Sequence, residues 1–173
     1  MMEKKQEISK MRLLFICLGN ICRSPAAEGV MRKMIEDHWL DDKFYVDSAG
    51  IGSWHVGELP DRRMRKHALA RGYELTMRAR QFKSDDFDKF DFIIVMDEEN
   101  YHDVIERMPY THHQEERDQY LRKVLRMKDY FTKYTQMRSV PDPYYGGSED
   151  FELALDLIED GCQGLLKSLL QHE

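Results

Sequence analysis

The chain is poor in cysteine, in proline and in long apolar runs. Only three of its 173 residues are cysteine and five are proline. Three cysteines are an odd number and too few for a disulfide framework, which excludes the small secreted scaffolds that depend on one. Five prolines leave no room for a proline-rich linker, and no internal repeat or low-complexity tract is visible. No apolar run reaches the ~20 residues that cross a bilayer, so no membrane partner is expected. Residues 1–10, MMEKKQEISK, are charged and lack the apolar centre of a secretory signal. They are expected to form a disordered lead-in, and the chain to work in a reducing cytoplasm. An excess of positive charge is also missing. The formal net charge is −6, which argues against bulk electrostatic binding of nucleic acid. The histidines do not make up a ligand set: His112 and His113 have no carboxylate or thiol partners at metal-binding spacing, so neither a metal nor another cofactor is expected.

What is present is an alternation of strand and helix over residues 11–173, a length that suits one domain. MRLLFIC (11–17) is an unbroken apolar run, as in a strand buried on both faces. From Pro25 to about Trp39 the apolar residues fall at i, i+4 spacing and predict a helix. Strands are expected over 43–50 and 90–97. Helices are expected from Pro60 to about Arg71, where Gly72 is a stop, and again before Pro109. YLRKVLRM, in the segment 110–140, reads equally as a helix or a short fourth strand. Residues 149–170 form an amphipathic helix that buries Phe151, Leu155, Ile158, Cys162, Leu165 and Leu169. Strands separated by helices imply a parallel α/β sheet with right-handed crossovers. Between residues 62 and 80, Arg62, Arg63, Arg65, Lys66, Arg71, Arg78 and Arg80 face only Glu74. This stretch is a solvated helix and loop or, on a sharper reading, a basic flank that attracts an anionic substrate.

In such a sheet ligands bind beyond the carboxyl ends of the strands. CLGNICRSP (17–25) lies at that end of the first strand, where a turn into a helix gathers backbone N–H groups into an anion nest. Gly19 gives the backbone freedom, and Asn20 tolerates the left-handed region. Ser24 is read as the N-cap, and Pro25 fits the first turn. The amides and helix dipole favour a thiolate at Cys17. Arg23, six residues on, can fold back to hold two oxygens of the same anion. Thiolate, guanidinium and amides together suit in-line attack on phosphorus. Leu18, Gly19, Asn20, Ile21, Cys22 and Arg23 are the candidate phosphate-binding positions. Cys22 lies in the same loop, placed to trap an oxidised Cys17 as a reversible disulfide.

CLGNICRSPAAE, followed in order by DSAG, SWHVG, RARQF, FDFIIVMD and DPYYGG, resembles the low-molecular-weight protein tyrosine phosphatases over roughly residues 11–170. The resemblance implies a flavodoxin-like three-layer sandwich with a four-stranded parallel sheet, and one phosphatase domain over 11–173. It implies Cys17 as nucleophile, Arg23 as phosphate clamp and Asp142 as general acid. It assigns Ser24 to hydrogen-bond the leaving thiolate and Asn20 with Ser48 to support the loop. Ile21, Trp54, Tyr144 and Tyr145 would flank the substrate ring. The partner it implies is a phosphotyrosine protein, with a tyrosine kinase among the candidates. Physical reasoning agrees about Asp142: a departing phenolate needs a proton that a thiolate cannot supply, and prolines on both sides stiffen the turn. Adjacent residues do not share a face, so only one of Tyr144 and Tyr145 is expected to line the cleft strongly. Met77 stands where the family often has a histidine, which removes a donor from behind the loop. Thioredoxin-coupled arsenate reductases share the loop but use further relay cysteines. Protein-arginine phosphatases carry threonine where this chain has Ile21. A non-catalytic anion-binding or redox-sensing module would have no use for Asp142.

Overall fold

The computed structural model describes residues 9–172, so most of the expected lead-in lies outside the described residues. Met11–Cys17 (β1) is buried along most of its length because successive side chains enter two different cores. Leu13, Phe15 and Cys17 face one cluster, and Leu14 and Ile16 face the other. That is the unbroken apolar run expressed at a period of two. The sheet adds Phe44–Gly50 (β2), Phe92–Val95 (β3) and Val124–Arg126 (β4) in the order β2-β1-β3-β4, all parallel. The expected α/β architecture is therefore the observed one.

Arg23–Asp37 (α1) and Ser148–Gln171 (α6) cover the first face, and every residue expected on the buried side of α6 is buried there. Gly164 allows α6 to approach the chain after β4, since a Cβ there would overlap the Tyr130 carbonyl. Arg62–Ala70 (α2) begins at Asp61, whose side chain accepts from the amides of Arg63 and Met64. Gly72 lies just past its end at φ +89, the left-handed conformation that stops a helix. The second face is covered by the short Asp86–Lys89 (α3), by Glu98–Glu106 (α4) and by Gln114–Lys123 (α5).

Two sequence expectations are corrected, and one open alternative is resolved. The first helix starts at Arg23 rather than Pro25, with Cys22 as its N-cap. The third strand ends at Val95, because Asp97 turns its side chain to cap α4 at the Asn100 amide, 2.8 Å away. YLRKVLRM is both helix and strand: α5 ends at Lys123 and β4 begins at Val124. Among the described residues no helix is long and apolar enough to cross a membrane.

Candidate active site

The topology places the β1–α1 loop at the switch point, because β1 has β2 on one side and β3 on the other. The carbonyls of Cys17, Leu18 and Ile21 accept from the amides of Ile51 (3.0 Å), Gly52 (2.8 Å) and Asp61 (2.7 Å), which pins the loop from outside. Asn20 is the left-handed residue, at φ 56. Gly19 is not, which corrects the expectation for it; its lack of a side chain makes room for the His55 ring, since a Cβ would stand 3.2 Å from His55 Cδ2. Gly50 performs a similar service at the end of β2, where a Cβ would lie 2.9 Å from the Asn20 nitrogen.

A cavity of about 300 Å³ opens above the loop. Its floor is Cys17, Leu18, Gly19, Ile21, Cys22 and Arg23, and its walls are Trp54, His55, Asp142, Tyr144 and Tyr145. Cys17 Sγ lies 3.0 Å from Ser24 Oγ. Ser24 is therefore not the N-cap: its hydroxyl meets Cys17 and also accepts from Asn20 Nδ2 at 2.8 Å. Asn20 Nδ2 also donates to Ser48 Oγ at 3.0 Å, and Asn20 Oδ1 accepts from the Arg80 amide at 3.0 Å.

Arg23 is buried and donates from Nη1 to Asp97 Oδ2 (2.6 Å) and to the Val140 carbonyl (2.9 Å). Its Nη2 lies 3.7 Å from Asp142 Oδ2. Burial opposes the guanidinium charge, but Cys17, Asp97 and Asp142 together outweigh that and hold its pKa above the ordinary arginine value. Asp142 remains partly exposed, and its Oδ1 accepts from the Tyr144 amide at 3.1 Å, an Asx turn that aims the carboxyl at the cavity mouth. Burial, then the Asp61, Cys17 and Asp142 charges, push the Cys22 thiol well above its usual range, so it is protonated at neutral pH. All three cysteines are free thiols.

The cleft walls are unequal. Tyr144 is half-buried, whereas Tyr145 is 95 % and Trp54 is 69 % exposed, and both tyrosines line the cavity. Part of the basic flank is neutralised: Arg63 pairs with Asp61, Arg71 ties α2 to Glu152, Asp156 and Glu159 of α6, and Arg80 pairs with Asp47 and Asp86. Of these cations Arg63 reaches the cleft wall, donating to the Tyr144 carbonyl at 2.8 Å. Three residues to which sequence reasoning gave no role belong to the site. Asp97 anchors Arg23. His55 borders the cavity and is held by Glu58 at 2.7 Å. Glu28 accepts from Ser48 Oγ at 2.8 Å. Asp97 had a signal available, an acidic residue just past the end of the strand that neighbours β1. Among the described residues no group of side chains could hold a metal ion.

The model of the low molecular weight phosphotyrosine protein phosphatase family matches residues 12–173. A Synechocystis protein bearing the low molecular weight protein-tyrosine-phosphatase name is 49 % identical over 159 residues, covering 92 % of this chain and 96 % of the relative. The crystal structure of a protein tyrosine phosphatase from Entamoeba histolytica, with Hepes in its active site, superposes with a TM-score of 0.87 at 44 % identity, covering 94 % of this chain and 99 % of that one. A Drosophila arginine phosphatase superposes at 0.78 with 29 % identity, covering 92 % and 98 %. With the family match spanning nearly the whole chain and the loop built as described, this chain belongs to the low molecular weight phosphotyrosine protein phosphatase family.

Proposed function

We propose that the chain hydrolyses phosphotyrosine in cytoplasmic proteins through a cysteinyl-phosphate at Cys17. The observation that carries this reading is the meeting of three groups at one cavity: the Cys17 sulfur, the buried Arg23 guanidinium and the Asp142 carboxyl. The loop amides of residues 18–23 and Arg23 receive the phosphate oxygens. The Cys17 thiolate attacks phosphorus in line, forming the S–P bond as the P–O bond to the aryl group breaks. Asp142 gives its proton to the departing phenolate. Water then attacks the cysteinyl-phosphate, Asp142 takes up its proton, and the P–S bond breaks to release orthophosphate and the thiolate. Ser24 stabilises that thiolate, while Asn20 and Ser48 keep the loop in shape. Asp97 holds Arg23 so that its remaining edge faces the substrate. Ile21, Trp54, Tyr144 and Tyr145 flank the aryl ring.

The apolar and aromatic lining of the cavity, Ile21, Trp54, Tyr144 and Tyr145, favours a flat phenyl ester, and Ile21 stands where an arginine phosphatase would carry threonine. The expected result is steady hydrolysis of p-nitrophenyl phosphate and of a phosphotyrosine peptide, with phosphoarginine turned over at least about tenfold more slowly. Preference for phosphoarginine, or arsenate-dependent consumption of thioredoxin, overturns the assignment. The reductase reading is weakened by Cys162, which is fully buried with its Sγ toward the Ala27 carbonyl and so cannot serve as a relay.

Cys22 adds reversible redox control to this reading. Peroxide converts the Cys17 thiolate to a sulfenic acid. The Cys22 sulfur attacks it, the disulfide forms and water leaves, carrying off the Cys22 proton and the sulfenic oxygen. Wild type inactivated by peroxide is expected to recover most of its activity with dithiothreitol, and Cys22→Ser to recover several-fold less. Equal recovery of the two removes the protective role.

A further inference from the structure

The turn that carries Asp142 is tied to the phosphate loop from the far side of the cleft. It runs from Val140, whose amide donates to the Met96 carbonyl at 2.9 Å, to the start of α6 at Ser148. Gly146 closes the turn on itself, donating to the Pro143 carbonyl at 2.8 Å. Among the described residues, the hydrogen bond that reaches residues 141–146 from another element is that of Arg63 Nη2 to the Tyr144 carbonyl, at 2.8 Å. Arg63 is itself held. Its Nε and Nη2 donate to Oδ1 and Oδ2 of Asp61 at 3.2 and 3.1 Å. Both Nη2 protons are then in use, one on the carboxylate and one on the carbonyl. Asp61 in turn donates its amide to the Ile21 carbonyl, in the cavity floor, at 2.7 Å. At the other end the Tyr144 amide donates to Asp142 Oδ1 at 3.1 Å. Ile21, Asp61, Arg63, Tyr144 and Asp142 thus form one hydrogen-bonded path from the phosphate-binding floor to the carboxyl.

The needs of α2 do not account for Arg63. It stands in the first turn of that helix, the positive end, where a cation is disfavoured. Its guanidinium instead lies over two rings, 4.7 Å from the centroid of Phe151 on α6 and 5.6 Å from that of Tyr144. Burial opposes the charge on Asp61, but Arg63 and the amides of Arg63 and Met64 outweigh it and hold that carboxyl below its usual range. The other restraint on Asp142 is its contact with Arg23 Nη2 at 3.7 Å, and a bound phosphate competes for that same edge of Arg23. We infer that Arg63 is a positioning residue that locks the Asp142 turn to the phosphate loop, so that the carboxyl keeps its place over the leaving oxygen once phosphate has engaged Arg23. The inference rests on the reading of Asp142 as the general acid. A lysine is a point charge without a fixed fork, so it does not span the Asp61 carboxylate and the Tyr144 carbonyl together.

The test compares two small aryl phosphates whose leaving groups differ in their need for a proton: phenolate needs one, and 2,4-dinitrophenolate does not. Arg63→Met keeps an apolar stem without the fork. In this variant kcat/KM for phenyl phosphate is expected to fall about twentyfold, and that for 2,4-dinitrophenyl phosphate less than about threefold. Orthophosphate, titrated calorimetrically, should bind within about threefold of wild type, because Arg23 and the loop amides are untouched. In an Asp142→Asn background the same substitution should change phenyl phosphate hydrolysis by less than about twofold, as for residues acting in series. Arg63→Lys gives the pattern of Arg63→Met, and it carries the test should urea unfolding show that Arg63→Met does not fold. The inference is overturned if both esters slow alike, if orthophosphate binding weakens in step, if the loss persists in the Asp142→Asn background, or if either variant matches wild type. A wild-type chain that hydrolyses neither ester, or an Asp142→Asn variant that hydrolyses phenyl phosphate at the wild-type rate, contradicts the proposed reaction instead.

Discussion

Cys17→Ser is expected to lower kcat for p-nitrophenyl phosphate by about 10⁴-fold or more, because the variant loses the one group able to form a covalent bond to phosphorus. A serine hydroxyl at this position would lie beside the Ser24 hydroxyl, which is not a base able to take its proton. Phosphate affinity is a separate matter. Arg23 and the loop amides remain, so isothermal titration with orthophosphate should give a dissociation constant within about tenfold of wild type. The two measurements together distinguish loss of the nucleophile from collapse of the loop. Residual turnover within about a hundredfold of wild type would assign the chemistry to another residue.

Asp142→Asn is expected to lower kcat by about 10²- to 10⁴-fold, with the deficit larger for phosphotyrosine than for p-nitrophenyl phosphate. The difference arises because p-nitrophenolate leaves without help and the tyrosine phenolate does not. The same carboxyl serves the second half-reaction as a base, so the adduct should outlive mixing. Acid quench followed by mass spectrometry should find Cys17 heavier by one phosphoryl group. The geometry sets a condition on this role: Asp142 Oδ2 lies 3.7 Å from Arg23 Nη2. An arriving phosphate must take over that guanidinium edge, which frees the carboxyl to face the leaving oxygen. A variant that hydrolyses both esters at wild-type rates would remove Asp142 from the reaction.

The parts of the site that were legible in the sequence are those a single local turn contains. Cys17, Asn20, Arg23 and Ser24 fall within one strand-to-helix connection, so their types and spacing carried the chemistry. β1 was legible for a different reason: burial on both faces leaves no polar residue to interrupt the run. β4 and α5 were not legible. Three residues of strand are too few to show a period, and α5 buries no residue fully, so it has no apolar stripe to read. Asp97 escaped because it is 74 residues from Arg23, and only the adjacency of β3 to β1 brings the two together. Glu28 escaped because a glutamate on a helix ordinarily reads as solvent-facing, and its burial depends on Ser48 arriving from β2. The misreading of Ser24 has a similar origin. Its position suited a cap, but a thiol seven residues earlier in the chain held its hydroxyl instead.

Trp54 and Tyr145 stand almost bare at the mouth of the cleft. A phenyl ester in the cleft reaches one edge of these rings and leaves most of their surface uncovered. A phosphopeptide that lies across them removes apolar surface from water at roughly 25 cal/mol per Å², and it does so equally before and during the displacement at phosphorus. Such uniform attraction tightens the encounter without hastening the bond-breaking that follows. Turnover numbers obtained with a small chromogenic ester should therefore carry over to a protein, whereas Michaelis constants should not, and the choice among phosphoproteins is made by residues that never touch the phosphate.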